Sequence, residues 1–194
     1  MKILVATMAI LMSFAVCASA SVPSASTSTV DCQVGGVTNC VPNSAVVCPA
    51  SDIDTIYVTV TVRNVYGDPL PGKIVDCYAI EVSGAFCWCP GESLQTSTSD
   101  VNGQAFFVFT DFGGCGQVQF GAVCEGVVFI PCSPAIFVAS PDMDADCDVD
   151  LSDFAQFASL YGGTNPCGDF NCNGVVDLPD FALFSAHYGH VCPP

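Results

Sequence analysis

Asp142, Asp144, Asp146, Asp148, Asp150 and Asp153 put six carboxylates into twelve residues. At ~4 Å, like charges repel by about 1 kcal/mol per pair even in water, and by more where water is thinned out. Such a segment is either solvated and disordered or built around a positive partner. Its register argues for the second. "DMDADCDVDLSDFAQFASLYGG" (142–163) set over "DFNCNGVVDLPDFALFSAHYGH" (169–190) agrees at ten of 22 positions. Counted from the first Asp, positions 1, 3, 5, 9 and 12 hold Asp142, Asp144, Asp146, Asp150 and Asp153 in one loop. The same positions hold Asp169, Asn171, Asn173, Asp177 and Asp180 in the other, and position 7 (Asp148, Val175) adds a backbone carbonyl. A random acidic run does not repeat in register. Oxygen donors alternating around one centre, with no nitrogen or sulfur at a ligand position, suit a hard divalent cation and disfavour a soft one. Two calcium ions are therefore expected, each ordering the loop that binds it.

The elements that position these donors follow from the residues after position 12. Phe154, Phe157, Ala158 and Tyr161, then Phe181, Phe184 and Tyr188, recur at helical spacing, which predicts two short helices packed through their rings. Val149 and Val176, at position 8, are expected to meet in a small β contact between the loops. Position 6 is a sharp turn that favours glycine; loop two has Gly174, whereas loop one has Cys147, at a cost of ~1 kcal/mol of backbone strain. A Cys147–Cys172 bridge between facing loops would offset that strain and leave Cys167 and Cys192 as a second pair, one of three connectivities open to four cysteines. Loop one, with more carboxylates, is expected to bind calcium more tightly than loop two.

The spacing is that of an EF-hand calcium loop, but each hand lacks an entering helix and carries Asp at position 12. With the doubled "VDLxDFAxF", residues 141–194 resemble a dockerin, a pair of calcium-loop-plus-helix repeats. The resemblance implies docking onto a cohesin partner, as in polysaccharide-degrading assemblies. The positions beside position 12 that read the partner in that family are Leu151-Ser152 and Leu178-Pro179 here.

Upstream the texture changes. From 45 to 140, runs such as "IDTIYVTVTVRNV", "KIVDCYAIEV", "FCWC", "QAFFVFT", "QVQFGAVC", "GVVFIPC" and "AIFVAS" alternate apolar and polar residues. Turn signals, "YGDPLPG", "SDVNGQ", "DFGGCG" and "CEG", separate them. This predicts an all-β sandwich of roughly seven short strands. "VTVTVRNVYGDPLPGKIV", "TSTSDVNGQAFFVFT" and "GQVQFGAV" resemble, in that order, the bacterial Ig-like repeats of the invasin/intimin kind, which implies a spacer or adhesive module. The fold class expected is thus mainly β, an Ig-like sandwich followed by a small helical calcium module. Residues 21–44, rich in Ser, Thr and Val, are read as a tethered N-terminal arm.

Residues 1–20 read as a secretory signal: Lys2, an apolar run, then Ala18-Ser19-Ala20. The run is shorter than the ~20 residues of a membrane span, so no membrane insertion is expected after cleavage. Beyond it only Arg63 and Lys73 are basic, against 19 Asp and Glu, which disfavours nucleic acid and anionic membranes as partners. Thirteen of the 14 cysteines lie beyond position 20 and read as a disulfide framework in an oxidising, extracellular or cell-surface setting, with one odd thiol. Cys87 and Cys89 should share one strand face, with Trp88 on the other. Trp88, Tyr57 and Tyr78 are either core or edge residues or a platform for carbohydrate. His187 and His190 end the last helix, where cations suit its dipole. With no nucleophile motif and the paired carboxylates committed to the loops, no enzyme is expected.

Overall fold

The computed structural model describes residues 21–193 apart from 37, 39, 41, 42 and 52. The expected signal segment, 1–20, lies outside the described residues. Among the described residues nine strands form two sheets: β1 (Thr29–Gly36), β2 (Ser44–Val46), β3 (Asp54–Thr61), β4 (Ile74–Trp88), β5 (Leu94–Thr98), β6 (Gln104–Phe109), β7 (Phe112–Cys124), β8 (Val127–Val128) and β9 (Ile136–Ala139). Helices α1 (Leu151–Leu160) and α2 (Leu178–His187) follow. One sheet has the order β1-β3-β6; the other runs β2-β9-β7-β4-β5, with β8 on β7. All pairings are antiparallel except β2 with β9.

Alternation builds the sandwich. In β3, Ile56, Val58 and Val60 are buried while Tyr57 is exposed; in β6, Ala105, Phe107 and Phe109 point inward and Phe106 and Val108 outward. These side chains meet Val75, Val118, Phe120 and Ile136 of the second sheet in one core. Each such burial contributes about 1.5–3 kcal/mol. Trp88 stacks on Phe112 at 4.2 Å on the core side, Tyr57 lies on the outer face of the first sheet, and Tyr78 covers Gly121 on the second. The carbohydrate platform that these three rings would form is therefore not assembled. The "SDVNGQ" turn is where the sequence puts it: Asp100 Oδ1 accepts from the N–H groups of Asn102 and Gln104, both at 2.8 Å.

Three expectations change. The segment read as an arm supplies β1, whose Val30, Cys32 and Val34 pack on the core and whose Cys32 is bonded to Cys132. "DFGGCG", read as a turn, lies within β7 but for its first residue. Gly114 and Gly116 take φ of +106° and +155°, and a Cβ on either would strike the β4 carbonyls of Ala85 or Ser83. Glycine here permits a close strand approach and does not end the strand. Likewise "KIVDCYAIEV" and "FCWC" run into one 15-residue strand, with a register shift near Glu81.

A second core joins the sandwich to the C-terminal module: Val46, Cys48, Ile53 and Ala139 pack with Val149, Phe157, Phe170, Val176 and Phe184. Among the described residues no helix is long and apolar enough to cross a membrane.

Candidate metal centre

Each loop is wound by its own side chains, and the two windings match. Asp142 Oδ1 accepts from the Asp146 N–H (3.2 Å) and its Oδ2 from the Cys147 N–H (3.1 Å). Asp169 does the same with Asn173 (3.0 Å) and Gly174 (2.7 Å). The left-handed residues fall at the same two positions: Ala145 and Cys172 at φ +61° and +58°, then Cys147 and Gly174 at +76° and +92°. Position 12 closes the loop while starting the helix. Asp153 accepts from Met143 (2.7 Å), Asp144 (3.1 Å) and Asp150 (2.8 Å), and Asp180 from Asn171 and Asp177, both at 2.9 Å. Asp150 and Asp177 are the helix N-caps, so one carboxylate set serves both loop and capping box.

Asp142, Asp153 and Asp180 are 0% exposed and Asp169 is 9% exposed. Asp142, Asp144 and Asp146 bring carboxylate oxygens within 4.8 Å of one another, as do Asp148, Asp150 and Asp153. Among the described residues Asp148 Oδ1 and Asp177 Oδ1 are buried with no hydrogen-bond partner. Lys73 pairs with Glu125 at 2.7 Å and Arg63 donates to the Gly67 carbonyl, so both of these basic side chains are engaged away from the loops. Burial, then the charge of Asp153, pushes the Asp142 carboxyl up to about 7; burial also raises Asp153, Asp180 and Asp148. Charge this crowded favours a proton or a cation.

Asn171 and Asn173 carry their side-chain oxygens into loop two, where each accepts from a backbone N–H two residues on, Asn173 and Val175 respectively, at 2.9 Å. Two contributors escaped the sequence reading. Ser152 Oγ donates to Asp144 Oδ2 at 2.6 Å, which Pro179 cannot imitate in loop two. Gly113 of β7 faces the Asp142 carboxylate so closely that any Cβ there would overlap it, while the Gly114 N–H donates to the Asp142 carbonyl at 2.7 Å. Sequence spacing carries no signal of an approach between residues so far apart in the chain. Gly113→Ala should destabilise the fold by about 1–3 kcal/mol, as overpacking does. Urea unfolding will measure it, and a variant as stable as the parent would contradict the packing described.

Val149 and Val176 do not bond to each other. Val149 exchanges hydrogen bonds with Gly189 and His190, and Val176 with Gly162 and Gly163, so each loop pairs with the residues leaving the other hand's helix. The rings pack as expected: Phe157 and Phe184 are buried with centroids 5.5 Å apart, and Phe154 lies 6.2 Å from Phe181.

The expected tail pairing is overturned. Cys147 is bonded to Cys87, Cys172 to Cys40, Cys192 to Cys89 and Cys167 to Cys115. The loops turn their cysteines toward the sandwich, where Cys87 near the end of β4 and Cys89 just beyond it both reach the module. Among the described residues the free thiols are Cys48, Cys77 and Cys124, all buried; burial pushes Cys48 and Cys77 up to about 12, which leaves them unreactive.

Fold and site together define a mainly β chain with a C-terminal two-helix module whose Asp-rich clusters can chelate a divalent cation. No protein-family model, curated protein or solved structure matches the chain.

Proposed function

We propose that this is a secreted, non-enzymatic calcium-binding protein: an Ig-like spacer or adhesive sandwich carrying a dockerin-like module that takes two calcium ions and serves in extracellular or cell-surface assembly. The observation that carries the reading is the duplicated winding. Buried Asp142, Asp153, Asp169 and Asp180 occupy equivalent places in two loops, while the side chains of Lys73 and Arg63 are engaged elsewhere. Calcium supplies the charge that this oxygen set lacks, with Asp142, Asp144, Asp146, Asp150 and Asp153 in one loop and Asp169, Asn171, Asn173, Asp177 and Asp180 in the other. Calorimetric titration of the full chain should show two calcium sites, the tighter one weakened by Asp144→Asn. Absence of calcium heat at millimolar concentration would remove the reading.

A second reading, docking onto a cohesin-like partner within a polysaccharide-degrading complex, draws on the outer face of the helices. Leu151, Leu178, Tyr161 and Tyr188 are more than half exposed. Two shallow grooves there are images of each other under the repeat, Phe154, Tyr161 and Leu178 in one answering to Phe181, Tyr188 and Leu151 in the other. Recovery of a cohesin-bearing scaffold in calcium and not in chelator favours this reading.

A further inference from the structure

We infer that Cys147 and Cys172 are positioning residues of the two calcium loops, anchored by Cys87 and Cys40, so that calcium affinity depends on closed disulfides to the sandwich. The inference rests on the calcium reading above. Both cysteines occupy left-handed backbone, at φ +76° and +58°, which an L side chain disfavours. At Cys147 that conformation aims its N–H at Asp142 Oδ2, the first donor of the loop.

The anchoring in loop one converges on one rung of the sandwich. Cys87 of β4 stands opposite Gly113 of β7. Cys87 bonds to Cys147 at position 6, Gly113 receives the Asp142 carboxylate at position 1, and the next N–H, of Gly114, holds the Asp142 carbonyl. The Cys147 carbonyl in turn accepts from Cys192, itself bonded to Cys89. Positions 1 and 6, which form the sharpest part of the cage, are thus fixed from outside the loop. Loop two is clamped earlier, at position 4 through Cys172 and Cys40, and leaves its sharp turn to Gly174, which takes φ +92° freely. Loop one therefore depends on its clamp more than loop two does. With the Cys87–Cys147 bond open, Cys147 relaxes out of the left-handed region and its N–H turns away from Asp142.

The dependence is reciprocal: a closed disulfide that raises calcium affinity is made harder to open by calcium, by the same factor. Opening transfers two electrons and two protons from a dithiol reductant to the S–S bond, giving two thiols and a cyclic disulfide of the reductant. Loss of a group that orients a metal ligand weakens binding by about 10–100-fold, and a tenfold change corresponds to about 30 mV in the disulfide's potential.

The test uses the full oxidised chain with calcium alone as probe. In C87A/C147A one of two calcium sites should weaken about tenfold or more while the other stays within about threefold of the parent. C87A/C147G should recover the weakened site, because glycine restores the turn without the clamp. In the parent chain, dithiol titration with mass mapping should open Cys87–Cys147 at higher dithiol concentration in calcium than in chelator, with a calcium shift larger than that of Cys32–Cys132, the reference for global opening. Parent-like affinity in C87A/C147A, or equal opening of Cys87–Cys147 with and without calcium in a chain that binds calcium, would overturn the inference and leave the calcium sites standing. A parent chain that binds no calcium would overturn both.

Discussion

Removing calcium from the oxidised chain is expected to lower its unfolding free energy by about 5–8 kcal/mol at millimolar calcium, if each loop binds in the micromolar range of EF-hand sensors. The figure follows from mass action: a site held at 100 to 1,000 times its dissociation constant stabilises the native state by about 2.7–4.1 kcal/mol, and there are two. The effect should reach beyond the loops. Val149, Phe157, Phe170, Val176 and Phe184 share a core with Val46, Cys48, Ile53 and Ala139 of the sandwich, so a loop that opens exposes part of that common core. Thermal unfolding followed by circular dichroism, in calcium and in chelator, should give one transition that shifts as a whole. A chelator-sensitive transition of the helices alone, with the β signal unmoved, would mean that the shared core does not couple the two parts.

This coupling separates the chain from a picture of two beads on a linker. Four disulfides join the C-terminal module to the sandwich or to the segment before β2. Disulfides that close loops of 52 to 132 residues restrict the unfolded chain strongly in the chain-entropy account. The module's outward helix face stays open, with Leu151 and Leu178 about two-thirds exposed. The architecture ties the module covalently to the rest of the chain and leaves the helix face that carries Leu151 and Leu178 exposed.

What was legible in the sequence was local. Alternating oxygens, a Gly or Cys at the turn and Asp at position 12 are constraints within twelve residues, and the loops obey them because each first Asp bonds backbone N–H groups four and five residues on. The helices and the Asp100 turn have the same local origin. What failed was long-range. Val30, Cys32 and Val34 show alternation, but in a Ser/Thr-rich setting it is too short to separate an arm from an edge strand without knowing that β3 lies beside it. Glycines in "DFGGCG" mark a turn when the chain bends and a strand when another backbone comes close, and only β4 decides between them. A repeat suggests facing loops, and facing loops suggest tail cysteines paired with each other. In the fold each loop faces the residues leaving the opposite helix, and its cysteines face the sandwich.

Calcium should also reverse the pH dependence of stability. The Asp142 carboxyl, ordinarily at 3.8, is pushed up to about 7 in the fold, first by burial and then by Asp153; Asp153 and Asp180 are raised in the same direction by burial. A folded state that holds protons the unfolded chain releases loses stability as pH rises. In chelator, stability is thus fullest below pH ~4 and declines toward pH ~7, with Asp142 alone accounting for at most about 4 kcal/mol at 1.36 kcal/mol per unit. Calcium requires the ionised carboxylates, so its stabilising increment is small near pH ~5 and complete near pH ~8. Urea midpoints across pH ~4–8, in calcium and in chelator, should therefore diverge as pH rises. Asp142→Asn, which cannot titrate, should flatten the chelator curve and weaken calcium in loop one. A chelator curve that climbs between those limits would show that Asp142 is held as a carboxylate by something other than an incoming cation, and the loop would need a different occupant.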